Sequence, residues 1–411
     1  MINKIELQES EKHQQYDTLL IVVTLISIFL LPRIPLGEGL PAFRIEDILL
    51  IPIGIKAIQQ KKWNSTYSKI IGVFGAYILF TIIYNNRTGN IRDYFEIFKL
   101  AKYLVFILYF SKSSNFNTIR RMLSPIFICL ILFNVVHFYN FLSFNTLIEP
   151  FFAPLHHLQY FGVNSNFEPY TKRLLGTMGN PNNNGLLFLL FAIYFMPLHN
   201  KKSKSQLLLY FLAILLCLHS QSRTVFVALT LVCILQIAVN LTYVKRNILA
   251  YILFAAVLMF DFYADNLLYI ESIFNTRISG FQTNNTSLQS RFEIWKHLIS
   301  MIQQKPIFGH GPYKEYFYNR DLYSENEYIL MAWRYGLLGL SFYITLVTYP
   351  IISMFKTLPV LDKIKLTSFT LSILFVALTN NPLSEPRILL MFALIVGTYF
   401  YINQRKQQDF S

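Results

Sequence analysis

Three arginines stand beside short polar turns in an otherwise apolar chain: Arg173, Arg223 and Arg291. A guanidinium is a planar fork that stays charged and binds phosphate oxygens through paired N–H bonds, so arginines at polar–apolar boundaries suit a phosphate-bearing ligand. Arg173 opens Arg173-Leu-Leu-Gly-Thr-Met-Gly-Asn-Pro-Asn-Asn-Asn-Gly185. Glycines, a proline and four asparagines cannot begin a lipid-facing helix, because their free backbone and amide groups would lack partners in hydrocarbon. The segment is either a packed turn aimed at a polar ligand or a capped turn with none. Arg223 lies in the hairpin His219-Ser-Gln-Ser-Arg-Thr224, too short to leave a membrane interface, where it either snorkels to headgroups or points into a cavity. Arg291 falls in Ser290-Arg-Phe-Glu-Ile-Trp295, an amphipathic helical stretch. A Pro306-Ile-Phe-Gly-His-Gly-Pro312 turn follows, and Ser324-Glu-Asn-Glu-Tyr328 then enters an apolar run carrying Arg334 about two turns deep. Anchoring does not explain Arg334, which needs a partner or a polar cavity.

Other residues carry less. His156-His157 has no third ligand at useful spacing, so no metal site is expected. His310 is read as incidental. Cys129, Cys217 and Cys233 all fall in apolar runs, which supports neither a disulfide framework nor a cysteine metal site. Lys99 and Lys102 are costly in a membrane helix; they either pair with Asp93 or Glu96 or help bind a lipid phosphate.

The elements that must hold these residues are set by composition. The 411 residues are 54% hydrophobic and 14% charged, whereas a soluble domain carries about 25% charged residues. Mean hydropathy is +0.41. The chain reads as an all-α polytopic integral membrane protein. Apolar runs fall at about 18–32, 44–60, 68–85, 94–111, 122–143, 181–199, 206–221, 224–242, 247–264, 328–355, 366–381 and 387–403, giving about twelve spans. The second is interrupted by Pro52 and Gly54, and the tenth is long enough to break near Gly336 and Gly339. The first seventeen residues are polar, so the first span is expected to be an uncleaved anchor. Residues 1–411 form one membrane domain with two large extracytoplasmic loops, 144–180 and 265–327, whose aromatic content argues against disorder.

The formal net charge of +14 would suit a nucleic-acid binder, but the basic residues are dispersed between apolar runs, so no nucleic-acid partner is expected. With twelve spans, the loops holding Lys56 to Lys69, Lys112 to Arg121, Lys201 to Lys204, Lys245 with Arg246 and Lys356 to Lys365 share one side with both termini. The positive-inside rule makes that side the cytoplasm. It holds 15 Lys, 4 Arg and 6 acidic residues; the outer side holds 4 Lys, 11 Arg and 16 acidic residues. Positive-inside bias explains the first set and not the second. An arginine-rich outer face with matching carboxylates suits a phosphate-bearing ligand.

The motifs also resemble a family. Arg173-x-x-Gly176 followed by Asn180-Pro-Asn182, the Ser222-Arg223 hairpin, Arg291-x-x-x-Trp295, the Gly309-x-Gly311 turn, and Asn326-x-Tyr328 ahead of Gly336-x-x-Gly339 occur in the order seen in the O-antigen polymerase and O-antigen ligase superfamily. The resemblance is best over about 170–340. It implies a membrane glycosyltransferase at the outer face of a bacterial cytoplasmic (inner) membrane, acting in lipopolysaccharide or capsule biosynthesis, with no cofactor or metal. Its substrate would be an undecaprenyl-pyrophosphate-linked oligosaccharide, and its neighbours would include a chain-length regulator and a flippase. Arg223, Arg291 and Glu325 are then the catalytic candidates, with Arg173, Asn180, Asn182, Arg334, Asn326 and Tyr328 binding substrate. Arginine would stabilise charge developing on the leaving pyrophosphate, and a base would take the acceptor proton.

One departure separates the members. Ligases typically have histidine before the matching asparagine, where this chain has Glu325. That favours a polymerase and makes Glu325 the candidate base, with Glu293 and Glu327 as competitors. The plainer reading of Glu325 is a helix N-terminal residue favoured by the dipole. The alternatives are a ligase transferring glycan to lipid A core and, from another class, a flippase or transporter. Transporters commonly show internal repeats and broken helices at midplane; here no repeat is visible and the polar motifs cluster at the outer end.

Overall fold

The computed structural model describes residues 2–34, 42–58, 65–143, 151–152, 173–197, 204–239, 241–248, 251–256, 286–320 and 322–409. The expected His156-His157 pair, most of the first long loop and residues 265–285 of the second lie outside them. The described residues are helical throughout, apart from turns and one isolated bridge between Ile34 and Phe43. The helices are α1 (Ile2–Phe29), α2 (Ile45–Ile58), α3 (Ser65–Tyr84), α4 (Ile91–Phe110), α5 (Ser113–Tyr139), α6 (Pro181–Phe195), α7 (Lys204–His219), α8 (Arg223–Val239), α9 (Leu241–Arg246), α10 (Thr286–Gln304), α11 (Lys314–Tyr318), α12 (Glu327–Met354), α13 (Val360–Val376) and α14 (Pro386–Asp409). Helices are the expected answer to apolar composition, since each satisfies its own backbone polar groups without water.

Among the described residues four helices are long and apolar enough to cross a membrane: α3, α5, α12 and α14, with shorter apolar helices at 15–29, α7 and α8. α14 is 72% buried over its apolar window against 33% for α3, α5 and α12, so α14 runs through the centre while the other three turn an apolar face outward. α6 is also central, with every residue from Leu186 to Ile193 fully buried. A helix apolar all round is stable only when neighbours cover every side. α7, α8 and α13 supply that cover.

Specific contacts align the helix ends. Asp17 reaches Lys56 at 3.0 Å and Lys112 at 3.1 Å, and Phe116 packs on Tyr401, which gathers the middle of α1, where its apolar stretch begins, the ends of α2 and α4, the start of α5 and the end of α14 at one end of the bundle. At the opposite end Arg387 donates to the Leu31 carbonyl at 2.5 Å, and Asn184 in the first turn of α6 donates to Asn134 near the end of α5 at 2.8 Å. The asparagine-rich turn before α6 lies at this second end.

Candidate active site

The asparagine-rich turn is built as a cap. Asn180 accepts from the backbone N–H groups of Asn182 and Asn183 at 2.9 and 3.3 Å, with Pro181 at the first helical position where its missing N–H costs nothing. Asn184 is fully buried between Asn134 and the Leu174 carbonyl. Arg173 spans two elements: Nε donates to the Ser220 carbonyl at 3.0 Å and Nη2 to Asn182 Oδ1 at 2.9 Å. The guanidinium fork thus ties the 173–180 turn to the α7–α8 hairpin, placing Arg173 beside the segment that ends in Arg223. Arg223 is exposed at the first residue of α8. Its neighbour Thr224 meets Thr379 at 2.5 Å.

The spacing Arg291-x-x-x-Trp295 has a structural explanation. Residues four apart on a helix share a face, and on α10 that face meets consecutive residues of the strap before α12. Trp295 Nε1 donates to the Ser324 carbonyl at 2.5 Å, and Arg291 forms an ion pair with Glu325. Both side chains of the pair remain partly exposed. Glu325 has a left-handed φ of 42°, a conformation disfavoured for a side chain with a Cβ. Asn326 caps α12, its side chain accepting from the Ile329 N–H at 3.0 Å, and Glu325 stands one residue ahead of it, at the helix N-terminus where the plainer reading put it.

Asn326 and Tyr328 also fasten α12 to α13. Asn326 Nδ2 donates to Leu378 at 2.9 Å, the Glu327 N–H to Ala377 at 2.9 Å and the Tyr328 hydroxyl to Leu374 at 2.6 Å. These are carbonyls at the end of α13 that the helix itself leaves unpaired. Glu327, a competitor for the base, is 1% exposed and accepts from Leu383 N–H, Ser384 Oγ and Tyr343 hydroxyl at 3.0, 3.1 and 3.3 Å. Through Leu383 and Ser384 it ties the start of α12 to the turn before α14. Glu293 is exposed and accepts only a long 3.5 Å contact from Gln289. Of the three carboxylates, Glu325 alone is both partly exposed and paired with one of the arginines.

Arg334 lies apart from this group. It is 8% exposed and approaches Glu96 at 3.7 Å, within a cluster that also contains Lys99 and Lys314. Lys99 pairs with Glu96 at 3.0 Å, as one reading expected. Lys102 does not: it reaches Asp47 at 2.5 Å and Glu46 at 3.5 Å on α2. Sequence proximity favoured Asp93 and Glu96, but packing of α2 against α4 brings different carboxylates to that face.

The Gly309-x-Gly311 turn seats the α10 segment on α12. The His310 and Gly311 N–H groups donate to Trp333 and Arg334 carbonyls at 3.0 and 2.7 Å, and the Leu337 N–H returns to Pro306 at 2.8 Å. This is possible because α12 breaks at Gly336, with φ 65° and ψ −170°, where the sequence expected a break. A Cβ on Gly336 would stand 2.0 Å from the Ile307 carbonyl oxygen, and one on Gly309 2.5 Å from that of Arg334. His310 has a packing role: its ring stacks on Trp333 and its Nε2 lies 3.0 Å from the Met301 carbonyl. Burial holds its pKa below the ordinary value.

Sequence reasoning missed the turn after α13. Asn381 and Ser324 exchange contacts at 3.1 and 3.3 Å, and Asn380 is buried. The Asn380-Asn381-Pro382 run, similar in composition to Asn180-Pro-Asn182, was the available signal. Among the described residues no three His, Cys, Asp or Glu side chains are grouped as metal ligands.

A family model described as O-Antigen ligase matches residues 208–344. The stretch includes Arg223, Arg291, Glu325, Asn326, Tyr328 and Arg334, and leaves Arg173, Asn180 and Asn182 ahead of it. No curated protein matches the chain. The match bears out the resemblance to the O-antigen polymerase and ligase superfamily, and it supports a membrane enzyme of the O-antigen ligase/polymerase type.

Proposed function

We propose that the chain is a polymerase of O-antigen or capsular polysaccharide, with about twelve spans in the cytoplasmic membrane, both termini inside and its site at the outer face. It transfers a growing glycan from undecaprenyl pyrophosphate to the non-reducing sugar of another lipid-linked repeat unit. The observation that carries this reading is the partly exposed Arg291–Glu325 pair at the same bundle end as Arg173 and Arg223. The arginines neutralise charge developing on the departing pyrophosphate, and Glu325 takes the proton of the attacking hydroxyl. The bond from the anomeric carbon to the pyrophosphate oxygen breaks as the new glycosidic bond forms. Arg291 orients the carboxylate and shifts toward the leaving group when substrate separates the pair.

Glu325, standing where ligases typically carry histidine, favours a polymerase over transfer to lipid A core. Purified protein reconstituted with lipid-linked repeat unit is expected to give a ladder of longer glycans. Transfer to added lipid A core without elongation would identify a ligase, and movement of the substrate across the bilayer without any new linkage would identify a transporter.

A further inference from the structure

We propose that the buried charge cluster beside the Gly309–Gly311 turn is a second anion site, one that takes a phosphate group with a neighbouring hydroxyl. Four elements build it. Asp93, Glu96 and Lys99 lie on one face of α4 at three-residue spacing. Lys314 opens α11, Arg334 comes from the α12 turn before the Gly336 break, and Arg87 precedes α4. Asp93, Glu96 and Arg334 are 0%, 6% and 8% exposed.

Charge does not balance there. Among the described residues two carboxylates face four cations. Glu96 is already shared between Lys99 and Lys314, each at 3.0 Å, and Arg334 at 3.7 Å. Asp93 Oδ1 is taken by the Lys314 backbone N–H at 3.1 Å. Buried Arg334 Nε and Arg87 Nε have no acceptor, and Asp93 Oδ2 has no donor. Surplus cations in a poorly solvated site are costly unless a counter-charge joins them. A phosphate supplies both the missing charge and the missing acceptors, and a hydroxyl next to it would donate to Asp93. Arg87 lies over the Tyr313 ring and Arg334 sits 5.8 Å from the Phe317 ring centroid, so flat faces flank the site. The Lys99 and Lys314 side chains are 21% and 25% exposed and form its rim. Burial pulls the Lys314 pKa below its ordinary value, against the attraction of Glu96.

Two sources carry this chemistry: a sugar phosphate of a lipid-linked glycan, or the headgroup of phosphatidylglycerol. The full chain in neutral detergent is titrated into glucose 1-phosphate and the phosphorus NMR linewidth followed. Wild type should broaden the line, and Lys314→Met or Arg334→Met should weaken binding at least tenfold. Glu96→Gln should tighten it severalfold by releasing three cations, whereas a purely structural ion pair would lose stability and gain nothing. Lys99→Met, at the rim, serves if Lys314→Met does not fold. Titration is repeated in the Arg291→Lys background, which weakens the outer arginine site, and broadening dependent on Lys314 and Arg334 should persist there. Phosphatidylglycerol that displaces the sugar phosphate, while phosphatidylethanolamine does not, assigns the site to a lipid headgroup. No broadening, or broadening sensitive to Arg291→Lys and insensitive to Lys314→Met, overturns the proposal. Binding does not depend on which transfer the chain catalyses, so a failed polymerisation assay with intact binding faults the polymerase reading alone.

Discussion

Gly336→Ala tests how the outer segment is held to the bundle. The backbone at Gly336 has φ 65° and ψ −170°, a region essentially closed to residues with a Cβ and costing about 1–3 kcal/mol when forced. The added methyl would sit 2.0 Å from the Ile307 carbonyl oxygen, a backbone atom with no rotamer to escape into. Relief requires either regularising α12 or lifting the 306–311 turn, and each route breaks hydrogen bonds from His310 to Trp333 and Gly311 to Arg334. At about 1 kcal/mol per bond, the total local cost is about 3–5 kcal/mol. Amide exchange at His310 and Gly311 should therefore accelerate roughly a hundred- to several-thousand-fold. Amides within α6, remote from the turn, should keep their protection. Hydrogen exchange followed by mass spectrometry of peptides covering 305–312 reads this directly. Because α10 carries Arg291 and the strap to α12 carries Glu325, glycan elongation should fall with it. Wild-type exchange at 305–312, or full elongation despite faster exchange, would refute the view that this turn positions the site.

Other expectations follow from the same contacts. Arg173→Lys, Arg223→Lys and Arg291→Lys should each lower elongation at least tenfold at normal protein levels, since an ammonium cannot reproduce a paired fork; for Arg173 it also cannot serve Ser220 and Asn182 together. Normal chain length and yield in all three would remove the pyrophosphate argument. Glu325→Gln should abolish turnover while lipid-linked substrate still binds, and retained turnover would discard it as the base. Glu327→Gln should act on stability instead, by about 2–4 kcal/mol, because an amide N–H then faces donors from Leu383, Ser384 and Tyr343; a lower melting midpoint with unchanged activity per folded molecule is the expected pair of results. His310 is neutral in the fold below its ordinary 6.5 because of burial, so the unfolded chain binds more protons there and stability should fall as pH drops from about 6.5 toward the lowered value. His310→Gln should remove that part of the pH dependence, and identical acid profiles would exclude it.

Local signals carried much of the site. The helical stretch around Arg291, the break at Gly336 and the polar turn from Gly176 to Asn184 follow from periodicity, glycine and capping chemistry within a few residues of chain. Partner choice did not follow. Asn326 and Tyr328 matched a family motif, yet their side chains close the end of α13, a role visible only once Leu374 and Leu378 lie opposite them. Glu325 and Glu327 are two residues apart and equally acidic, but one faces outward to Arg291 and the other is enclosed by the turn before α14.

Composition and apolar run length were enough to point to an all-helical membrane protein, because transfer from water to hydrocarbon depends on residue type and run length rather than on neighbours. The order of its motifs was enough to point to the superfamily. Apart from the local Lys99–Glu96 pair on α4, which charges meet was decided by tertiary packing. Arg334 finds Glu96 on α4, Lys102 finds α2, and Arg291 finds Glu325 across the α10–α12 contact. Coulomb energy in a poorly solvated interior rises steeply as two charges approach within a few ångströms. Helix register sets those distances between residues far apart in the chain, and no local spacing encodes them.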